Sequence, residues 1–404
     1  AGNTLQVDGD AGLRRLNFQT VLTNHGTLRW EGTGSIEFYE SGRMVNETGG
    51  RIELHADGIP FSHYYGGSEL VNRGTIEKMS GTGEAVMLHH AYRSEGAIRA
   101  TAGAIVFASG LELNGGGRID GVGRVILRSG TTILDGTTAV SNGILELGGA
   151  EIRGHLNETG TLAGSAIEWT AGQTKNIVNL AGIVTTPGAL KKSIGFLSDV
   201  RVSGSLTING SGSFETYERG TLTVLASGMV HATGSAPLTE YYGGGNTCIN
   251  QGTLRIGTAP AHVVMPWHFV QTATGRLEID LAGSNPGPPE FDILQVTRSV
   301  DLAGTVVPRM TGGYDAPVGM EFTFLVASGG LGGERFDGVA GSRFDLRAEG
   351  ESSCVLTALA VPYDYATWAA DNNLVGAAAD PGANPDGDAF TNFEEYAFRL
   401  DPNK

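Results

Sequence analysis

One short phrase recurs along this chain: a polar residue, a spacer, a glycine, a small or basic residue, then Ile, Leu or Val. It reads Asn24-His25-Gly26-Thr27-Leu28, Asn72-Arg73-Gly74-Thr75-Ile76 and Asn250-Gln251-Gly252-Thr253-Leu254. Looser copies stand at Glu95-Gly96-Ala97-Ile98, Glu158-Thr159-Gly160-Thr161-Leu162, Arg219-Gly220-Thr221-Leu222 and Thr274-Gly275-Arg276-Leu277. Near the start the copies are roughly 22 to 26 residues apart, the period of a solenoid coil. Each copy is a turn that launches a strand. A chain of such units stacks on itself and offers long faces rather than one obligatory cleft.

The strands between the turns alternate with period two, as half-buried strands do. Thr27-Leu28-Arg29-Trp30 puts Leu28 and Trp30 on one side; Ser35-Ile36-Glu37-Phe38 and Met44-Val45 follow after glycines, and Arg51-Ile52-Glu53-Leu54 opens the next lap. Such short runs lack the regular Asn-Gly or Asp-Gly loops of hairpins, so coil-on-coil pairing must satisfy their backbone groups. The expected fold is all-β: a parallel three-sheet β-helix solenoid, right-handed by the chirality of parallel crossovers. The solenoid is expected over residues 1–284, β-rich terminal rungs and a cap over 285–360, and a small helix-loop-helix tail over 361–404. Stacked side-chain amides at the turns give Asn24, Asn46, Asn72, Asn179 and Asn250 a structural role. The 63 glycines fit many tight turns, and no Gly-X-Y period points to collagen.

No run approaches the ~20 apolar residues of a membrane helix. A net charge of −16 argues against a nucleic-acid partner and suits an extracellular protein that binds divalent cations. Cys248 and Cys354 form no metal-binding pattern, leaving one disulfide or two buried thiols open. A start at Ala1, with neither Met nor apolar leader, fits a mature product after signal-peptide removal.

Near the end, Phe291-Asp292-Ile293-Leu294-Gln295-Val296 and Gly319-Met320-Glu321-Phe322-Thr323-Phe324-Leu325 resemble the last rungs of large secreted bacterial β-helix passengers of the autotransporter and filamentous-adhesin kind. That resemblance implies a secreted or surface-displayed bacterial protein. The tail carries Asn384-Pro385-Asp386-Gly387-Asp388-Ala389-Phe390-Thr391-Asn392, with Glu395 three residues on. Counted from Asn384, oxygens fall at positions 1, 3, 5, 9 and 12, with the Phe390 carbonyl at 7, the spacing of a wrapped Ca²⁺ loop. Asn384, Asp386, Asp388, Phe390, Asn392 and Glu395 are therefore the candidate calcium ligands, with Asp380 as an extra one. Asn at position 1 and Ala389 at position 6, where glycine usually takes the bend, depart from the pattern. The tail resembles the calcium-loop endings of dockerin and thrombospondin type 3 repeats.

Two inserted stretches, His63-Tyr64-Tyr65-Gly66-Gly67 and Glu240-Tyr241-Tyr242-Gly243-Gly244, look like one elaborated coil used twice. Tyr64, Tyr65, Tyr241, Tyr242 and Trp267 are candidates for stacking on sugar rings. For catalysis the candidates are His55, Asp57, His63, Tyr64, Tyr65, His89, His90, Tyr92 and Arg93. Above all, His63, His89 and Arg93 would abstract a proton and neutralise a uronate if the coils bring them onto one face. No GxSxG, HExxH or P-loop is present. The sequence reads as an extracellular structural or adhesive rod, able to join head to tail into filaments and to meet a polysaccharide or cell-surface ligand. A polysaccharide lyase-like enzyme or polysaccharide-binding β-helix is the alternative.

Overall fold

The computed structural model describes residues 3–8, 14–17, 19–88, 91–242, 244–360, 365–398, 400 and 402–403. It is a parallel β-solenoid of about 12 turns. Each early lap runs through three short strands on three faces, as in Thr27–Trp30, Ile36–Tyr39 and Arg43–Asn46. The first sheet contains fourteen strands, from Thr4–Val7 to Val300–Asp301. The second and third sheets join where Ile144–Gly154 and Ile167–Lys175 run continuously round a corner.

Lap-on-lap registry explains the sequence pattern. On the first sheet Leu28, Ile52, Ile76, Ile98, Ile119 and Val140 occupy one inward column. All lie at or below 4% exposure, within one core that continues to Ala358. Each such side chain contributes roughly 1.5–3 kcal/mol of burial. The glycines of the turn phrase stack as well. A Cβ on Gly74 or Gly96 would strike the carbonyl oxygen of Gly50 or Gly74, so no other residue fits this corner.

The amide ladder forms as expected at that corner. Asn24 Nδ2 donates to Asn46 Oδ1 at 2.7 Å, Asn46 Nδ2 to Asn72 Oδ1 at 2.8 Å, and Asn72 Nδ2 to Ser94 Oγ at 3.0 Å. Each amide also donates to a carbonyl one lap on: Arg51, Thr75 and Ala97. Asn250 begins a second ladder, donating to Gln271 Oε1 at 2.9 Å. Asn179 does not belong to either. It sits inside the strand Ile177–Leu180, and its oxygen accepts from the Ser203 hydroxyl.

The solenoid closes with a change of direction. His262–Met265, Ile293–Val296 and Glu321–Ala327 continue the third face in parallel, then Ser353–Ala358 and Phe344–Glu349 add antiparallel strands. Asp292 ties this closure together. Its two oxygens accept from the backbone N–H of Ala261 at 2.9 Å and Asp280 at 2.7 Å. Cys248 and Cys354 are separate, buried thiols. Among the described residues no helix is long and apolar enough to cross a membrane. The α-helices among the described residues are Tyr365–Asp371 and Asn392–Phe398, and the tail has its own small cluster of Trp368, Ala369 and Leu374.

Candidate functional site

The outer faces carry their charges in register. On the first sheet Arg29, Glu53, Glu77, Arg99 and Asp120 form an outward column. Glu53 and Glu77 are direct neighbours, and Arg51 bridges them at 3.2 and 2.7 Å. Burial pushes Glu53 up, but hydrogen bonds from His55 and Arg29 outweigh it and hold the carboxyl below its ordinary value. The Arg99 guanidinium likewise holds Asp120 low. This face is a self-neutralised ladder.

The exposed aromatic residues collect at two corners of the same construction. At the first, Tyr39 and Tyr64 from adjacent laps stack nearly parallel, with centroids 5.6 Å apart. Arg15 stands over the Tyr64 ring at 5.9 Å and pairs with the buried Glu37 at 2.7 Å. At the second, Tyr217 and Tyr241 lie 4.9 Å apart. Lys191 stands over both rings, at 5.7 and 5.3 Å, and pairs with the buried Glu215 at 2.8 Å. Tyr64 and Tyr65 are each 64% exposed, Tyr241 51% and Tyr242 62%. Tyr64 and Tyr65 close the strand Gly58–Tyr65, and Tyr241 and Tyr242 form a bend just after the strand Leu238–Glu240. Trp267 is not part of them: it is fully buried, with its indole N–H on the Thr239 carbonyl.

The likeness reaches well beyond the Tyr-Tyr-Gly-Gly stretches. Ser35-Ile36-Glu37-Phe38-Tyr39-Glu40 matches Ser213-Phe214-Glu215-Thr216-Tyr217-Glu218, and the match runs on to Lys78 and Ile256. Equivalent neighbours pair in both blocks: Ile36 with Phe61 and Phe214 with Leu238, then Ile52 with Ile76 and Val230 with Leu254. The turns agree too. Gly42 N donates to Tyr39 O as Gly220 N does to Tyr217 O, and Gly50 N donates to Glu47 O as Gly228 N does to Leu225 O. Yet Ile52 lies on the first sheet and Val230 on the second. The second copy is therefore set one face further round. The two Glu-x-Tyr-Glu strands were the missed signal, legible by aligning the chain with itself.

The candidate catalytic residues fall on different strands. His63 belongs to Gly58–Tyr65 on the second face, exposed, with Nδ1 3.0 Å from the Leu88 carbonyl. Arg93 lies in Ala91–Ser94 on the third face, where it pairs with Glu112 at 3.3 Å. Tyr92 is buried against Phe107, and Asp57 is taken up by Lys78 at 2.6 Å. His89 and His90 lie outside the described residues.

In the tail, one carboxylate oxygen each from Asp386, Asp388 and Glu395 lies within 4.8 Å of the others. The loop wraps through its own amides: Gly387 N donates to Asn384 Oδ1 at 2.7 Å and Phe390 N to Asp388 Oδ1 at 2.6 Å. Its left-handed bend falls at Gly387, φ 76°, so Ala389 is not asked to take one. Asn392 and Glu395 are fully buried, and Asp386 Oδ2 and Asn392 Oδ1 are buried without a hydrogen-bond partner. Such oxygens are costly unless a cation or donor meets them. The donor set is all oxygen, as a hard divalent cation requires. Asp380 instead turns its carboxylate to the Gly382 N–H at 2.8 Å.

Comparison with known proteins finds no family model that matches the chain and no curated protein similar to it in sequence.

Proposed function

We propose that the chain is an extracellular structural and adhesive rod, which sets a fixed distance along its axis and presents its outer corners to a polysaccharide or cell-surface ligand. The observation that carries this reading is the pair of solvent-exposed tyrosine corners held on one continuous solenoid core. An adhesive element needs rigid, pre-organised contacts on a long surface, because ordering flexible groups on binding costs affinity. The test is to coat beads with the protein and measure retention on polysaccharide-bearing surfaces, while following release of unsaturated product from polygalacturonate by ultraviolet absorbance. Retention without product is expected. Product formation that disappears in His63→Ala would make the chain a lyase and overturn the adhesive reading.

A second proposal concerns the tail. Asp386, Asp388, Asn392 and Glu395, with Asn384 and the Phe390 carbonyl, would hold Ca²⁺, and the support for it is the buried Asp386 and Asn392 oxygens that nothing else meets. The ion would neutralise carboxylates that otherwise repel one another. Trp368 fluorescence titrated with Ca²⁺ should respond with Kd on the order of 10⁻⁴ to 10⁻³ M and revert with chelator. A signal unmoved by both would remove the metal.

A further inference from the structure

We propose that the two tyrosine corners are equivalent binding sites for a neutral polysaccharide, and that their one-face offset makes the rod a bridge between two polymer chains. This rests on the adhesive reading above and specifies its ligand. Each corner offers one or two outward tyrosine rings backed by a half-buried tyrosine from the lap below, Tyr39 beneath Tyr64 and Tyr217 beneath Tyr241. Tyr39 and Tyr64 lie 15° from parallel, whereas Tyr217 and Tyr241 are tilted by 34° and Tyr242 stands edge-on to Tyr241. An exposed tyrosine ring at either corner suits the apolar face of a sugar ring whose hydroxyls are equatorial, because such rings pack by area at low entropic cost.

Charge selects the class of polymer. The cation beside each platform is already engaged: Arg15 with Glu37, Lys191 with Glu215. Glu40 and Glu218 stand at the exits of the same strands, while Glu240 beside Tyr241 is paired with Arg298 at 2.6 Å. The whole chain carries −16. Among the described residues a polyuronate would meet no unpaired cation at the first corner and, at the second, only the exposed Arg219, within the repelling field of a chain of net charge −16. An uncharged chain of the β-1,4-glucan type meets neither penalty, and the flanking Glu–Arg and Glu–Lys pairs remain available to its hydroxyls.

Geometry selects bridging. The corners are about eight laps apart, roughly 40 Å along the axis at one strand spacing per lap. The first follows the strand Ile36–Tyr39 of the second sheet, the second the strand Phe214–Thr216 of the third. A stiff, straight polymer that lies along one corner stays on that side of the solenoid, while the other corner opens on a different side. Two copies of one site on different sides therefore hold two chains, whereas copies on one side would add avidity for a single chain.

The experiment uses the full chain in two assays: affinity electrophoresis through gels containing hydroxyethyl cellulose, amylose or polygalacturonate, and turbidity after mixing with hydroxyethyl cellulose. Wild type should be retarded most by hydroxyethyl cellulose and should raise turbidity. The pairs Tyr64→Ala/Tyr65→Ala and Tyr241→Ala/Tyr242→Ala should each leave retardation within about twofold and abolish turbidity, and all four changes together should abolish both. Equal melting midpoints show that the variants fold, and Tyr→Phe versions should keep binding because the ring supplies the contact. Wild type unretarded by hydroxyethyl cellulose, or retarded more by polygalacturonate or amylose, overturns the ligand class. Turbidity that survives loss of one corner overturns bridging. A polygalacturonate cleavage signal is a separate outcome, which sinks the adhesive reading and not this ligand assignment alone.

Discussion

The two copies of the duplicated block are close to a natural substitution experiment. Both keep the Glu-x-Tyr-Glu strand, a pair of tyrosine rings in contact across adjacent laps and the Asn-x-Gly-Thr turn, but they place them at successive corners of the solenoid. Local sequence therefore specifies how a turn is made and which side chains face inward. It does not specify which of the three faces the strand joins. That is set by how many strands lie between, because every face offers the same parallel neighbour.

The largest difference between the copies lies at one inward position. The first copy has Lys78, fully buried, bonded to Asp57 and to the Ser80 carbonyl at 2.6 Å each; the second has Ile256, equally buried. Lys78 is buried but Asp57 is 43% exposed, so removing the carboxylate leaves a buried ammonium met only by carbonyls, whereas exchanging the lysine for a hydrophobic residue is often neutral or stabilising. Asp57→Ala should thus destabilise the chain by about 1–3 kcal/mol, with Lys78→Ile close to wild type or better. Denaturant midpoints of both variants, and of the double variant, check this. If Lys78→Ile lost as much as Asp57→Ala, the two copies would not be interchangeable here.

Much of this was readable from the residues alone, and for a physical reason. Leu28, Ile52 and Ile76 alternate with Arg29, Glu53 and Glu77, so both the core column and the outer ladder appear as period two. The Asn24, Asn46 and Asn72 ladder follows from a phrase that repeats at the lap length. Trp267 and Asn179 were misplaced because their exposure depends on lap registry, which a single strand does not reveal. Lys78 could not be foreseen as a core residue, since its burial requires Asp57 from the preceding lap. His63 and His89 share an offset from Asn46 and Asn72, and the pairing of Phe61 with Met87 and Ser62 with Leu88 keeps that count to the last described residue, but Arg93 falls on the next strand, Ala91–Ser94.

The ladders differ in depth, which gives the next prediction. Asn46 donates to Asn72 and the Thr75 carbonyl and accepts from Asn24, whereas Asn250 lies at the start of a shorter run through Gln271. Truncating a buried amide costs about 1–3 kcal/mol where partners are left unpaired. Asn46→Ala should sit at the upper end and Asn250→Ala below it. Equal losses would show that the amides act singly.

Acid should separate the first copy from the closure beyond the second. Glu53 is held low, so its contribution is present above its unfolded value and is lost as pH falls below about 4. Burial instead pushes Asp292 up to about 7, against the bonds from Asp280 and Ala261. The folded chain then holds the proton that the unfolded chain releases near ~3.9, so stability falls as pH rises from about 4 to about 7. Melting curves across both windows should show the two opposite slopes, and Asp292→Asn should flatten only the second. Smallest of all, the half-exposed ladder of Arg29, Arg51 and Arg99 should lose at most about 1 kcal/mol per pair in high salt.

Engineered cysteines test the lap-on-lap registry directly, at equivalent positions of the two copies. Arg51 neighbours Thr75 on the first sheet, and Met229 neighbours Thr253 on the second. One strand spacing of about 4.8 Å lies within disulfide reach, and two do not. Arg51→Cys/Thr75→Cys and Met229→Cys/Thr253→Cys should both oxidise readily, while Arg51→Cys/Ala97→Cys, two laps apart, should stay reduced. Failure of either adjacent pair to close, or ready closure of the distant one, would contradict the stacked solenoid and the duplicated corners built on it.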